Sequence, residues 1–324
     1  MLVDNHNRRI NYLRLSITDR CNLRCLYCVP HYDVTENNKS RILPYDDLFR
    51  LSRESVRLGI SKIRVTGGEP LVRPGVIEFL ERLARIEPAP ELVLTTNGIL
   101  LKKLAGPLRK AGVKRLNISL DSLKPEVFKK ITAGGELQRV LDGIDAAQET
   151  GFPPPQINVV LLRGTNEGEI ADFAKLAADR KLSVRFIEYM PVSGDPKWRS
   201  LYVANDEVIA ALERDHKLTP IESLDGAGPA RYFQLDGGEA KLGFISPISH
   251  HFCASCNRIR ISADGHARGC LMSNETTDLV PYLARGDEAI REILTAIIRK
   301  KPLKHDAPES VMAQGWVPMS AIGG

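Results

Sequence analysis

Across its first two-thirds the chain alternates short β-rich runs with helical patterns, and this alternation limits its fold more than any other feature. Strand-like runs fall at 12–17, 62–66, 92–95, 114–120, 157–162 and 183–187. They are rich in Val, Ile and Leu and bounded by Gly, Pro, Asn or Asp. Between them, Asp46 and Asp47 suit a first helical turn, Leu48, Leu51 and Leu58 share a face, and Gly59 suits a stop. Pro74 suits a first helical position before Val76, Ile77, Leu80 and Leu83. Leu137, Val140, Leu141 and Ile144 keep helical spacing up to Gly151, and Asn166 suits the cap of a helix carrying Ile170, Phe173 and Ala177. Gly106-Pro107 predicts a break within 100–112. Six successive β–α units require a parallel sheet covered by helices, with ligands at the C-terminal strand ends. Periodicity leaves an open doubly wound sheet and a full or partial barrel equally available.

After about residue 215 the segments shorten and glycines punctuate them (Gly226, Gly228, Gly237-Gly238). The expected organisation is therefore a core of residues 1–215 and a smaller module of residues 216–324. With 324 residues, 43% of them hydrophobic, the chain can bury a large core. No apolar run approaches the about 20 residues that cross a bilayer, and the start Met1-Leu2-Val3-Asp4 lacks a secretion signal. A cytoplasmic protein with no membrane partner is expected. Its 45 basic and 40 acidic residues leave a charge of +5, enough to favour an anionic substrate but too diffuse to predict nucleic-acid binding.

Six cysteines form two groups: Cys21-x3-Cys25-x2-Cys28 directly after the first strand, and Cys253-x2-Cys256 followed by Cys270. Three adjacent thiols cannot all form disulfides, and three thiolates repel one another without a cation. A four-iron cluster held by three thiolates keeps one iron open for a ligand. A structural zinc site needs four protein ligands. For the first group the fourth would be a distant residue such as His31. For the second, Cys3His zinc through His250 or His251 competes evenly with a cluster. A redox dithiol at Cys253/Cys256 lacks the usual flanking strand and helix.

Cys21-x3-Cys25-x-Tyr27-Cys28 resembles the signature of the radical S-adenosylmethionine superfamily. The surrounding text is similar to the GTP 3′,8-cyclase family of molybdenum cofactor biosynthesis. It includes Leu15-Ser-Ile-Thr-Asp-Arg-Cys21, Arg64-x-Thr66-Gly67-Gly68-Glu69-Pro70, Thr95-Thr96-Asn97-Gly98 and Ser119-Leu120-Asp121-Ser122. It continues with Ser246-Pro-x-Ser-His250-x-Phe252-Cys253-x2-Cys256-Asn257-Arg258-x-Arg260, Asp264-Gly265, Cys270-Leu271 and the Gly323-Gly324 end.

The resemblance implies a partial (β/α)6 barrel whose mouth is closed by a smaller α+β module. It also implies two [4Fe–4S] clusters, one on Cys21, Cys25 and Cys28 and one on Cys253, Cys256 and Cys270. The first would bind S-adenosylmethionine, whose reductive cleavage leaves a 5′-deoxyadenosyl radical, with Tyr27, Gly67, Gly68, Glu69, Ser119 and Met190 around the cofactor. The glycines would let the backbone approach that ligand closely. GTP would meet Arg14, Lys62, Arg64, Thr95, Gln156, Arg185, Arg258, Ile259 and Arg260, arginine being suited to phosphate by its planar fork. The radical would take hydrogen from ribose C3′ and the ribose carbon would close on C8, giving a cyclic dihydro-GTP. Arg258, Arg260 and the Gly323-Gly324 tail would serve turnover. Implied partners are an electron donor such as a flavodoxin or ferredoxin and the next enzyme, cyclic pyranopterin monophosphate synthase, by product hand-off. A homodimer is compatible with this reading.

Gln156 departs from the family lysine that contacts the triphosphate, weakening one charge-assisted contact worth about 1.5–3 kcal/mol. Arg163 is the nearby basic group expected to compensate. Val29 replaces a common methionine, and a usual glycine is missing from His31-Tyr32-Asp33.

Overall fold

Side-chain alternation along the first six strands decides between the two architectures. In the computed structural model, which describes residues 2–28, 42–191, 197–222, 228–273, 275–305 and 319, these are β1 (Tyr12–Ser16), β2 (Lys62–Thr66), β3 (Glu91–Thr96), β4 (Arg115–Ser119), β5 (Gln156–Val160) and β6 (Ser183–Ile187). They pair parallel in chain order. One face carries Leu13, Ile63, Leu94, Leu116, Ile157 and Val184, none more than 1% exposed. That face packs on the helices α1 (Tyr45–Arg57), α2 (Val76–Ala84), α3 (Leu101–Lys110), α4 (Pro125–Thr132), α5 (Leu137–Glu149) and α6 (Ile170–Arg180), which contribute Leu51, Leu80, Leu108, Phe128, Ile144 and Phe173 to one continuous core. Each such fully buried side chain stabilises the fold by about 1.5–3 kcal/mol.

The other face is polar and yet buried: Arg64, Asn117, Arg185 and Arg260 are all less than 10% exposed. A doubly wound sheet would be apolar on both faces, because helices cover both. One apolar and one enclosed polar face is the signature of a sheet curled around a bore, so the chain forms a partial barrel.

The rest of the chain extends this same sheet from both edges. Past α7 (Trp198–Leu201) and α8 (Asn205–Leu212), an antiparallel meander of β7 (Leu218–Ile221), β8 (Arg231–Leu235) and β9 (Lys241–Ile245) joins through β9, which lies parallel to β6. At the opposite edge β10 (Arg258–Ile261) lies parallel to β1, followed by β11 (His266–Arg268) and β12 (Thr277–Asp278). Finally α9 (Val280–Arg285) and α10 (Asp287–Arg299) cover the outside, α10 docking on α1. There Glu54, fully buried, accepts from Arg57 at 2.9 Å and Arg291 at 2.5 Å.

Three local expectations are corrected. Helix α3 runs through Gly106-Pro107 without a break, because Leu101, Ala105 and Leu108 are buried on its inner face and one missing N–H does not outweigh that packing. Asn166 does not cap α6 with its side chain. It accepts from Leu162 N–H at 2.7 Å and donates to the carbonyls of Asp121 and Val160, stitching the ends of β4 and β5. Pro74 stands before the cap position of α2, which Gly75 fills at φ 77°. Among the described residues no helix is long and apolar enough to cross a membrane.

Candidate active site

Strand register gathers the basic residues. Arg14 is level with Arg64 on β2 and with Arg260 on β10, and Tyr12 is level with Lys62 and Arg258. Thr95, Asn117 and Gln156 form a second row, and Ser119, Asn158 and Arg185 a third. The Tyr12 ring carries Lys62 Nζ at 5.1 Å and the Arg64 guanidinium at 5.6 Å. Arg185 donates to Asn158 Oδ1 at 2.9 and 2.6 Å. The Asn117 amide oxygen, in the orientation the guanidiniums dictate, accepts from Arg64 Nη1 at 2.6 Å and also from Arg185.

Arg64 and Arg185 lean on neutral groups and cation faces cation, while Lys62 pairs with the Glu91 carboxylate at 3.3 Å. Burial, followed by repulsion from Arg260, Arg64 and Arg258, holds Arg14 well below the ordinary arginine range. Burial and then Arg258 bring Arg260 down to about 10, against the opposing pull of Cys256 and Cys270. Guanidiniums crowded in a water-poor bore are costly unless a ligand supplies the negative charge. Tyr12 Oη, Arg64 Nε and Thr95 Oγ1 are buried with no hydrogen-bond partner among the described residues. Donors left open beside clustered cations fit a multiply charged, oxygen-rich anion.

Gln156 reaches this wall and its amide lies 3.5 Å from Tyr232 Oη. Arg163 is not its substitute. That side chain is pinned at the surface to both Glu207 carboxylate oxygens at 2.8 Å and to the Tyr202 carbonyl at 3.1 Å. The buried cation sharing Tyr232 with Gln156 is Arg185.

The first cysteine group lies past the C-terminal end of β1, held by backbone fit. Gly68 N–H donates to the Thr18 carbonyl at 2.8 Å and Glu69 N–H to the Arg20 carbonyl at 2.9 Å. A Cβ on Gly67, whose φ is 145°, would sit 2.3 Å from the Thr18 oxygen; on Gly68 it would sit 2.4 Å from the Arg20 oxygen. The two glycines are thus required by the close approach of the cysteine loop itself. Arg24 and Leu26 N–H donate to the carbonyls of Thr132 and Ile131 at the end of α4. Tyr27 Oη donates to Asp121 at 2.7 Å, and its ring meets Tyr189 edge-on at 6.5 Å.

Glu69 is fully buried. It accepts from Leu71 N–H at 3.0 Å, Thr96 Oγ1 at 2.9 Å and Asn97 N–H at 2.6 Å, which ties the end of β2 to that of β3. Burial lifts its carboxyl to about 7 despite these donors. Burial likewise raises Asp121 to about 6, and burial with Asp121 and the sister thiols pushes Cys25 well above the ordinary range.

The second group stands at the other end of the bore. Tyr12 N–H donates to the Asn257 carbonyl at 3.2 Å, so Cys256 is level with the start of β1 while Cys21 follows its end. A five-residue strand of about 16 Å separates the two levels. Burial alone would raise the Cys256 thiol, but Arg258 and Lys301 bring it down to about 6. Met190 packs with Met272, Cys270, Leu271 and Met319, which carries the wall from Tyr189 to the second group.

Neither histidine proposed as a zinc ligand turns to the thiols. His250 Nε2 bonds Asp206 at 2.7 Å and His251 Nδ1 the Pro247 carbonyl at 2.9 Å. None of the six cysteines is in a disulfide, and among the described residues no three Cys, His, Asp or Glu converge on a single-ion site. A four-iron cube spaces its thiolates wider than one ion does, so two trios of thiols with no fourth ligand among the described residues fit clusters with an open iron.

Ser119 ends β4 beside the bore. Ile259, between Arg258 and Arg260, turns its side chain into the helix-side core, leaving only its backbone for a ligand. Gly323, Gly324, Val29 and the stretch His31-Tyr32-Asp33 lie outside the described residues. Sequence reasoning missed Tyr12, Asn117 and Asn158, although Tyr12 is two residues before Arg14, Asn158 is level with Arg185 and Asn117 is level with Gln156. It also missed Arg8 and Lys301, which have no local signal.

The chain matches the radical SAM superfamily over residues 15–177 and the molybdenum cofactor synthesis C family over residues 182–307. It is 51% identical to a GTP 3′,8-cyclase of Geobacter sulfurreducens, covering 100% of this chain and 99% of the relative. It is 46% identical to one of Syntrophomonas wolfei, covering 97% and 96%. Among solved structures, Streptococcus suis SuiB bound to precursor peptide SuiA superposes with a TM-score of 0.65 at 17% identity, covering 92% of this chain and 67% of that one. SuiB bound to S-adenosylmethionine gives 0.62 at 16%, covering 92% and 68%, a likeness of fold. With a bore of clustered cations between two cysteine trios, and full-length relatives of one kind, the chain belongs to the GTP 3′,8-cyclase family of the radical SAM superfamily.

Proposed function

We propose that this protein converts GTP to (8S)-3′,8-cyclo-7,8-dihydroguanosine 5′-triphosphate, the first step toward molybdopterin. The observation that carries the reading is the wall of buried Arg64, Arg185 and Arg260 with half-buried Arg14, lying between two cysteine trios at opposite ends of one bore. Cys21, Cys25 and Cys28 would hold one [4Fe–4S] cluster and Cys253, Cys256 and Cys270 the other. When bound, the first cluster with S-adenosylmethionine supplies radical hydrogen abstraction.

The chain's own residues do the rest. Tyr27, locked by Asp121, and Ser119 and Met190 would wall the cofactor end. Gly67, Gly68 and Glu69 set the shape of the cysteine loop rather than reaching the ligand with side chains. Arg14, Lys62, Arg64, Arg185, Arg258 and Arg260 would grip the triphosphate and position the ribose, and Thr95 would donate its open hydroxyl. Crowded cations suit this task because a transient mispairing costs a desolvated charge, so an anion is held in one place. The enclosing strands exclude water from the reacting carbon. Gly323 and Gly324 would complete the site, with residues 1–215 supplying the cofactor end and residues 216–324 the second cluster. A flavodoxin- or ferredoxin-type donor would deliver the electron, and cyclic pyranopterin monophosphate synthase would take the product.

The test is an anaerobic incubation of the reconstituted protein with GTP, S-adenosylmethionine and a reductant. The expected result is loss of GTP to an isomer of equal mass, with methionine and 5′-deoxyadenosine formed alongside. Gln156 favours one other reading, a radical enzyme of the same build acting on a different nucleotide or a peptide. Cofactor consumption with GTP untouched would establish it.

A further inference from the structure

The cysteines of the second group are held by two buried cations that arrive from outside the site. Arg8, 7% exposed, is fixed by Asp4 at 2.6 Å. Its Nη1 donates to the Cys253 carbonyl at 2.7 Å and the Leu303 carbonyl at 3.2 Å, and its Nη2 to the carbonyls of Pro302 at 2.7 Å and Lys301 at 3.3 Å. Lys301, 3% exposed, lies just past the end of α10. Its ammonium donates to the carbonyl of Gly269, the neighbour of Cys270, and its charge acts on the thiols of Cys256 and Cys270. A Cβ on Gly269 would lie 3.4 Å from the Lys301 backbone, so the two segments are in van der Waals contact.

Part of this is ordinary helix termination, since carbonyls after a helix need donors and arginine supplies them. Termination explains neither the bond to Cys253, whose sequence separation from Arg8 is 245 residues, nor an ammonium buried on the carbonyl next to Cys270. A buried ammonium is costly unless it faces negative charge. Among the described residues Lys301 pairs with no carboxylate, and the thiols of Cys256 and Cys270 are the negative groups that act on it.

We propose that Arg8 and Lys301 form a clamp that positions the second cysteine group and sets the charge around its cluster. Arg8 fixes the backbone at Cys253 to the segment after α10, and Lys301 fixes the backbone entering Cys270 and places a charge beside Cys256 and Cys270. Both are positioning residues. The clamp rests on the assignment of a cluster to Cys253, Cys256 and Cys270. A cation beside such a cluster stabilises its reduced, more negative form and raises its potential.

The experiment uses the full-length protein with Cys21, Cys25 and Cys28 replaced by alanine, so that iron and sulfide report the second group alone. Lys301→Met is expected to lower the midpoint potential in an EPR-monitored titration, and Lys301→Arg to restore most of it. Arg8→Lys, keeping the charge but not the fork, is expected to weaken iron retention against a chelator by about 10–100-fold. If Lys301→Met does not fold by near-ultraviolet circular dichroism, Lys301→Gln carries the same measurement. An unchanged potential in a folded, iron-loaded Lys301 variant overturns the clamp, and so does unchanged retention in Arg8→Lys. If the parent chain lacking the first cysteines binds no iron, the cluster assignment itself fails, and the clamp with it.

Discussion

The two cysteine loops of this protein are built by opposite means. The first is shaped by backbone against backbone: Gly67 and Gly68 lie so close to Thr18 and Arg20 that no side chain fits, and the carboxylates of Glu69 and Asp121 act on its thiols. The second is shaped by side chains, with Arg8, Arg258 and Lys301 around Cys253, Cys256 and Cys270. Individual thiols respond differently. Burial and Asp121 push Cys25 up, Arg258 and Lys301 bring Cys256 down to about 6, and burial keeps Cys270 raised despite Lys301 and Arg260. The difference teaches that the two clusters meet unlike fields. Carboxylates beside a cluster disfavour added electrons and suit a strong reductant. A cationic loop facing the bore suits an electron-rich, anionic substrate.

The largest expected effect on this contrast comes from Gly67→Ala. The added methyl meets the Thr18 oxygen at a backbone φ that alanine resists, at a cost of about 3 kcal/mol. Chemical denaturation should show that loss. Iron analysis of the variant should show the first cluster gone and the second retained. Equal loss from both would mean that the loops are not independently built.

Next comes Arg64→Met, which removes one charged fork from the wall between the loops. Nucleotide triphosphate binding should weaken by about 10–100-fold, the equivalent of about 1.5–3 kcal/mol, measured by calorimetry at fixed salt. A change below twofold would remove Arg64 from the anion site. A smaller effect, about tenfold tighter GTP binding, is expected for Gln156→Lys, since Arg163 is occupied elsewhere and leaves that charge missing. No tightening would show that Arg185 already supplies it.

The smallest effect sharpens the contrast directly. In the iron-free protein Cys256 should be alkylated fastest at pH 7, because a thiol with a pKa of about 6 is mostly thiolate there while Cys25 stays protonated. Arg258→Met should move the Cys256 profile to higher pH. Coincident pH profiles for Cys25 and Cys256, read by mass spectrometry, would erase the electrostatic difference.

Much was legible in the sequence because it depends on neighbours along the chain. The six parallel strands were readable from runs of Val, Ile and Leu between turn residues, and all six appear at or within two residues of their expected ends. The cysteine spacing and the text around it marked the family. Local reasoning failed where packing overrode it. Pro107 sits inside an unbroken helix because its neighbours are buried, and Asn166 serves two strand ends rather than a helix cap.

What the sequence determined by itself was the set of chemical groups: two trios of thiols, a stock of arginines and a parallel β–α repeat. Only the tertiary structure decided which face of the sheet is enclosed, that the thiol trios stand at opposite ends of one bore, and that Arg8 and Lys301 belong to the second. The physical reason is range. Helix and strand preference are settled within a few residues, whereas the field at a buried sulfur is the sum of charges brought there by segments hundreds of residues apart.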